Sequence, residues 1–187
     1  MDKSLFNAFI TWLRTKHLGA FISTREFIAA HMAPFGILPV RAALFAKHIR
    51  NGVVTDLGCV GTHVVTDAFV AELVDALQAG GVADFDDYKY HDSGTGTNAE
   101  AAADTALQTP CGEARDVGTQ IEGATANIYK SVATSTYAGT FAIIEHGLFN
   151  ASAAGTLMDR TKLATVVNVI SGDQIEWTYQ ITFTAGS

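Results

Sequence analysis

The end of the chain fixes its architecture more tightly than any other stretch. From Ile175, apolar Ile175, Trp177, Tyr179, Ile181 and Phe183 alternate with polar Glu176, Thr178, Gln180, Thr182 and Thr184. This period of two is that of a strand with one buried face. A one-residue slip would turn every aromatic side chain into water, so the strand demands a second layer to cover it. Thr165 to Ile170 precede it, separated by Ser171-Gly172-Asp173. The two runs therefore read as a hairpin with Gly172 at positive φ. The buried face carries no catalytic group.

Further strand signals run upstream. Val53-Val54-Thr55, a turn at Asp56-Leu57-Gly58 and His63-Val64-Val65 suggest a first hairpin. Phe85, Tyr88 and Tyr90 suggest another strand, and a short helical turn is expected at Ala99 to Ala106. Strand-like runs follow at Asn127 to Thr136 and Thr140 to Glu145, with turns at Tyr137-Ala138-Gly139 and Ala153-Ala154-Gly155. One helix interrupts them. Thr66 is placed to cap it, Phe69, Val70, Leu73, Val74 and Leu77 form its apolar stripe, and Gly80-Gly81 closes it. Short strands with frequent turns favour a β-sandwich of jelly-roll type.

The first 52 residues read differently. Leu5, Phe6, Phe9, Ile10, Trp12 and Leu13 recur at helical spacing behind Ser4. Ser23 and Glu26 have the spacing of a capping box, opening a second helix that stops before Pro34. Pro39 suits the first turn of a third helix bearing Leu44, Phe45 and Ile49, with Asn51-Gly52 as its stop. The expected class is thus α+β: a helical arm over residues 1–52, then an antiparallel sandwich over 53–187 with one inserted helix. The arm is too apolar to stay in water, so Phe6, Phe9, Trp12 and Leu13, with Arg14 and Lys16 beside them, are the candidate partner-binding residues. A membrane-surface helix is the competing reading for this element, but its polar face carries few charges.

Composition sets outer bounds. With 48% hydrophobic and 17% charged residues, the chain can bury enough surface to fold. A net charge of −7 argues against a surface that tracks phosphates. The basic residues Lys3, Arg14, Lys16, Arg25, Arg41, Lys47 and Arg50 gather in the first part, leaving the rest acidic, which suits an arm that docks on an acidic surface. Met1-Asp2-Lys3-Ser4 lacks the basic and apolar regions of an export signal, so synthesis in a cytosol is expected, with Cys59 and Cys111 reduced. No apolar run reaches the roughly 18 residues of a membrane span.

Three patterns invite a chemical reading. Gly94-Thr95-Gly96-Thr97-Asn98-Ala99 has the spacing of a dinucleotide loop. Its continuation Thr109-Pro110-Cys111-Gly112 breaks the β-α-β unit such a site requires, so the loop reads as a turn in which Asp92 and Ser93 bond nearby amides. Asp84, Asp86, Asp87, His91 and Asp92 could offer oxygen ligands to a hard cation, without the spacing of a calcium loop. Glu145-His146 with Asp159-Arg160 could serve as a general acid and base, or as a buried charge network that fixes a turn, the reading preferred here. Cys59, Cys111 and Ser93 stand in no nucleophile motif. No catalytic residue, metal or cofactor is assigned.

Several strings occur in fixed order: Tyr90-His91-Asp92-Ser93-Gly94-Thr95-Gly96-Thr97, Gly118-Thr119-Gln120-Ile121-Glu122-Gly123-Ala124, Glu145-His146-Gly147-Leu148-Phe149-Asn150 and Gly155-Thr156-Leu157-Met158-Asp159-Arg160, then Gly172-Asp173 and the aromatic strand. In this the chain resembles a group of structural proteins of tailed bacteriophages, small virion components. The resemblance spans roughly Val53 to Ser187. It implies a non-enzymatic part of a virus particle, made in the host cytoplasm and located in the virion. Its partners would be the major capsid protein or tail proteins, with self-association in the particle, a trimer among the open forms, and no nucleic acid or membrane. A capsid decoration or cement protein and a tail, collar or fibre-attachment component both fit the resemblance. An enzyme using the Gly94 to Ala99 loop is the remote third. The compact length and the apolar, basic arm favour the capsid.

Overall fold

The computed structural model describes residues 40–79 and 87–184. The candidate docking residues Phe6, Phe9, Trp12, Leu13, Arg14 and Lys16, and the first two predicted helices, lie outside the described residues. Ten strands and one helix are described. They are β1 (Val40–Arg50), β2 (Val53–Thr62), β3 (Val64–Val65), α1 (Asp67–Ala79), β4 (Tyr90–Gly94), β5 (Asp116–Val117), β6 (Thr119–Glu122), β7 (Ile128–Thr136), β8 (Phe141–Phe149), β9 (Leu157–Val169) and β10 (Gln174–Phe183). They form two five-stranded sheets, ordered β2-β1-β10-β7-β6 and β3-β9-β8-β4-β5. Every described strand pair is antiparallel.

β10 is the strand its pattern promised. Ile175, Trp177, Tyr179 and Ile181 are all 0% exposed at the centre of the core, where they meet Ile143, Leu148, Leu163, Val167 and Val169 of the other sheet. The predicted hairpin is corrected, however. β9 and β10 lie in different sheets, and β10 pairs with β1 and β7. Gly172 does take positive φ, at 88°, but the turn it makes is an arch between layers. A second arch at Tyr137-Ala138-Gly139 lies beside it, joined by Gly172 N donating to Tyr137 O and Tyr137 N to Asp173 O. Local sequence marks the reversal of the chain; which strand becomes the neighbour is decided by long-range pairing.

The third predicted helix is a strand. β1 pairs with β10 over ten residue pairs, from Val40↔Phe183 to Ile49↔Gln174. Leu44 and Ala46 point into the core at 0% and 1% exposure while Phe45 between them is 36% exposed, a period of two that overrides the helical spacing of Leu44, Phe45 and Ile49. Asn51 and Gly52, read as a helix stop, both take positive φ, at 51° and 76°, and close a two-residue hairpin between Arg50 and Val53. The sheet domain therefore begins before the expected boundary at Val53. The turn expected at Asp56-Leu57-Gly58 is also corrected: β2 runs straight through it. Gly58 at φ 64°, with its amide bonded to Asp56 Oδ1, sits instead at an irregularity in the β1–β2 register. Such bulges twist an edge strand away from unwanted pairing.

Thr66 caps α1 as its position suggested, accepting from Phe69 N through Oγ1 at 3.2 Å and donating to Leu157 O. Of the predicted stripe, Phe69 is buried against Tyr88, whereas Val70 and Val74 stay 49% and 45% exposed. The strand expected around Tyr88 begins at Tyr90, and Ala99 to Ala106 form no helix. That segment belongs to a loop whose Leu107 packs with Phe149, Leu157 and Tyr90 in a second, smaller cluster. The loop thus covers part of the second sheet's outer face, at Tyr90, Phe149 and Leu157, while Ala164, Thr165 and Val166 of β9 stay exposed.

Candidate functional site

Glu145 and His146 are neighbours in sequence, so the pleat of β8 sends them to opposite faces of the sheet. The same holds for Asp159 and Arg160 on β9. The structure accordingly splits the predicted quartet into two separate networks, Glu145 with Arg160 under the Gly94 to Cys111 loop, and His146 and Asp159 in the gap between the sheets.

In the first network Arg160 donates to Glu145 Oε2 from Nε at 2.9 Å, and its Nη2 lies 2.8 Å from the same oxygen. Arg160 Nη1 also reaches Asp104 Oδ2 at 3.0 Å and Ala99 O at 3.3 Å. Glu145 in turn accepts three backbone amides of the loop, from Gly96 (3.0 Å), Thr109 (2.7 Å) and Gln108 (3.0 Å). The glycine spacing has its cause here. A Cβ on Gly96 would lie 2.5 Å from Glu145 Oε1 and 2.6 Å from Gln108 Cβ, and one on Gly94 would lie 2.4 Å from Thr109 O. The loop does cradle an anion with its amides, as a phosphate loop would, but the anion is the protein's own carboxylate. Glu145 is 0% exposed and Arg160 2%.

The second network joins the sheets. His91 Nδ1 lies 3.0 Å from His146 Nε2, and His91 Nε2 lies 2.8 Å from Ser131 Oγ on β7 of the opposite sheet. His146 packs on Trp177 of β10 with ring centroids 4.9 Å apart, and His63 on Tyr179 at 5.3 Å. His63 Nδ1 is 2.8 Å from Asp159 Oδ1, an ion-pair distance between two fully buried side chains. His63 Nε2, His146 Nδ1, Asp159 Oδ2 and the Tyr179 hydroxyl make no hydrogen bond among the described residues. Gly118, where the chain passes from β5 in one sheet to β6 in the other, must be bare: a Cβ there would lie 2.3 Å from Ser131 Oγ and 2.8 Å from His91 Nε2. Burial pushes His91 down to about 3. Burial, then the neighbouring His91 and His63, pushes His146 well below the usual imidazole range. Burial raises Asp159 against the pull of His63.

These are poor tools for chemistry on an outside substrate. A general acid or base must reach the group it protonates, and Glu145, His146 and Asp159 are all 0% exposed. Of the predicted cation ligands, Asp84 and Asp86 lie outside the described residues. Asp87 pairs with Lys89 at 3.0 Å, His91 points into the core, and Asp92 faces Arg115 at 3.3 Å. The described members do not converge, and no group of three or more His, Cys, Asp or Glu suited to a metal occurs among the described residues. Cys59 and Cys111 are unpaired thiols, and Cys111 lies by Ser93.

Sequence reading placed His63 and Ser131 in strand-like runs without giving either a part in a site, and gave His91 the wrong neighbours. It also missed a clasp at the arch: Asp173 takes Arg50 Nε at 2.9 Å and His48 Nε2 at 3.0 Å, and the Arg50 hydrogen bond holds its carboxyl well below the usual range. The alternation of β4, with Tyr90 and Asp92 on one side and His91 and Ser93 on the other, was the available signal for His91. Comparison with protein-family models, curated proteins and solved structures finds no match.

Proposed function

We propose that the chain is a non-enzymatic structural protein of a tailed-bacteriophage virion, a capsid decoration or cement protein held on the shell through its N-terminal arm. The observation that carries this reading is where the resemblance motifs fall. Tyr90 to Thr97 supplies His91 and the glycines of the cradle, and Gly118 to Ala124 opens with the glycine that makes room for Ser131 and His91. Glu145 to Asn150 and Gly155 to Arg160 supply Glu145, His146, Asp159 and Arg160. Motif residues that in an enzyme would line an open cleft are here consumed in closed contacts that hold one sheet, its covering loop and the opposite sheet together. A protein that works by assembly needs such a scaffold and outward surfaces.

The finer fold supports the same reading. β1 pairs with β10 and β3 with β9, so early strands meet late ones in both sheets among the described residues. This wrap is jelly-roll-like, an arrangement used by viral capsid and lectin domains among others. It bears on fold only, since many functions share it. The amides of the Gly94 to Ala99 loop that a nucleotide would need include one already bonded to Glu145.

The arm carries the docking proposal. Phe6, Phe9, Trp12 and Leu13 with Arg14 and Lys16 meet the major capsid protein, and at about 25 cal/mol per Å² an apolar stripe of this kind holds a subunit once many copies act together. Removal of residues up to Gly19 is expected to leave far-UV circular dichroism and the melting midpoint of the sheets in place while abolishing co-sedimentation with particles that lack the protein. Normal occupancy by the truncated protein would overturn the docking role.

A further inference from the structure

We propose that the interior histidine cluster is an acid-operated lock between the two sheets, in which His91 and His146 hold the layers together as neutral rings and release them when protonated. The geometry makes the pair sensitive to proton count. The facing nitrogens, His91 Nδ1 and His146 Nε2 at 3.0 Å, share one proton, because one must donate and the other accept. His91 Nε2 then exchanges a hydrogen bond with Ser131 across the gap, in either direction according to tautomer. One added proton leaves a charge in a fully buried site. A second removes the acceptor between the rings and sets two N–H groups against each other.

Among the described residues, no carboxylate is hydrogen-bonded to either ring. Lining the same gap are His63 from the β2–β3 link, with Asp159 of β9 and Tyr179 of β10 against it, and Tyr137 at the β7–β8 arch, bonded to Ser93 Oγ at 2.9 Å. From β5, Asp116 acts on Ser135, and from β7 Tyr129 acts on Tyr179. Asp159 is the carboxylate turned into this gap, and it lies against His63, not against the pair. The groups acting electrostatically on His146 are the two other histidines, and both disfavour its charge.

The direction follows from linkage. Both rings are harder to protonate folded than unfolded, so their contribution is complete above the unfolded value near 6.5 and is lost as pH falls toward the folded value, about 3 for His91. An unfolded imidazole takes up its proton below about pH 6.5 and an ordinary carboxyl only at about 4, which leaves about pH 6.5 to 4.5 for the histidines. Asp159, raised by burial, works in the opposite direction and is common to both proteins compared below.

The test is urea unfolding of the full chain across that window. The unfolding constant is expected to rise as pH falls by a factor approaching tenfold per pH unit for each ring, hence about a hundredfold for the pair. His146→Gln, which keeps a polar group of similar reach, is expected to make that dependence about tenfold per unit shallower. Equal slopes in the two proteins would overturn the lock. Should the variant fail to fold, imidazole NMR of the unaltered protein decides: the His91 and His146 signals are expected to stay neutral until the sheets melt. Titration of both near 6.5 with the sheet signals unmoved would refute the proposal.

Discussion

Glu145→Ala is expected to destabilise the protein by about 3–5 kcal/mol, the usual cost of removing one partner of a buried ion pair. The change strands the Arg160 guanidinium, which retains only Asp104 as a charged partner, itself at the surface with its side chain 25% exposed. It also orphans the amides of Gly96, Gln108 and Thr109, each of which loses its acceptor. The loop then loses three of the bonds that hold it over Phe149 and Leu157, so limited proteolysis between residues 95 and 110 is expected to accelerate together with the drop in urea midpoint. A loss below about 1 kcal/mol would mean that the carboxylate does not fasten the loop.

Trp177→Ala is expected to cost about 3–5 kcal/mol, in the range for large-to-small changes in a packed core. The indole is 0% exposed, donates to Ser135 Oγ at 3.1 Å and packs on His146, so its removal opens a cavity and strips one wall from the histidine pair. Glu176→Ala, one residue earlier on the outer face, removes only a solvent-screened contact with Lys47 and is expected to leave the midpoint nearly unmoved. Equal losses by denaturant melts would contradict the facing of β10.

What could be read from sequence was what local chemistry decides. The alternation of β10, the Thr66 cap and the positive φ of Gly172 each depend on a few adjacent residues, and each stands in the structure. Asn51-Gly52 shows the limit of such signals, since the same dipeptide ends helices and closes hairpins, and only the pairing of β1 with β10 distinguishes the two. The arches failed for a related reason. Ser171-Gly172-Asp173 reverses the chain whether the next strand pairs beside the last or crosses to the other layer. In the site, Glu145-His146 looked like a couple because adjacency in sequence suggests proximity, while the pleat separates them. Their true partners, Arg160 on one face and His91 on the other, stand 15 and 55 residues away. The glycines of the loop carried real information about a backbone cradle; what sequence could not say was that the cradled anion is internal.

The central claim, that this chain is built to assemble on a capsid, is tested most directly by a cryo-EM map of the virion whose genome encodes it. The account predicts density matching the two five-stranded sheets at regular positions on the outer shell, with the N-terminal arm lying on the major capsid protein. Density confined to the tail or collar would contradict the capsid assignment, and a particle without the chain would contradict the virion assignment itself.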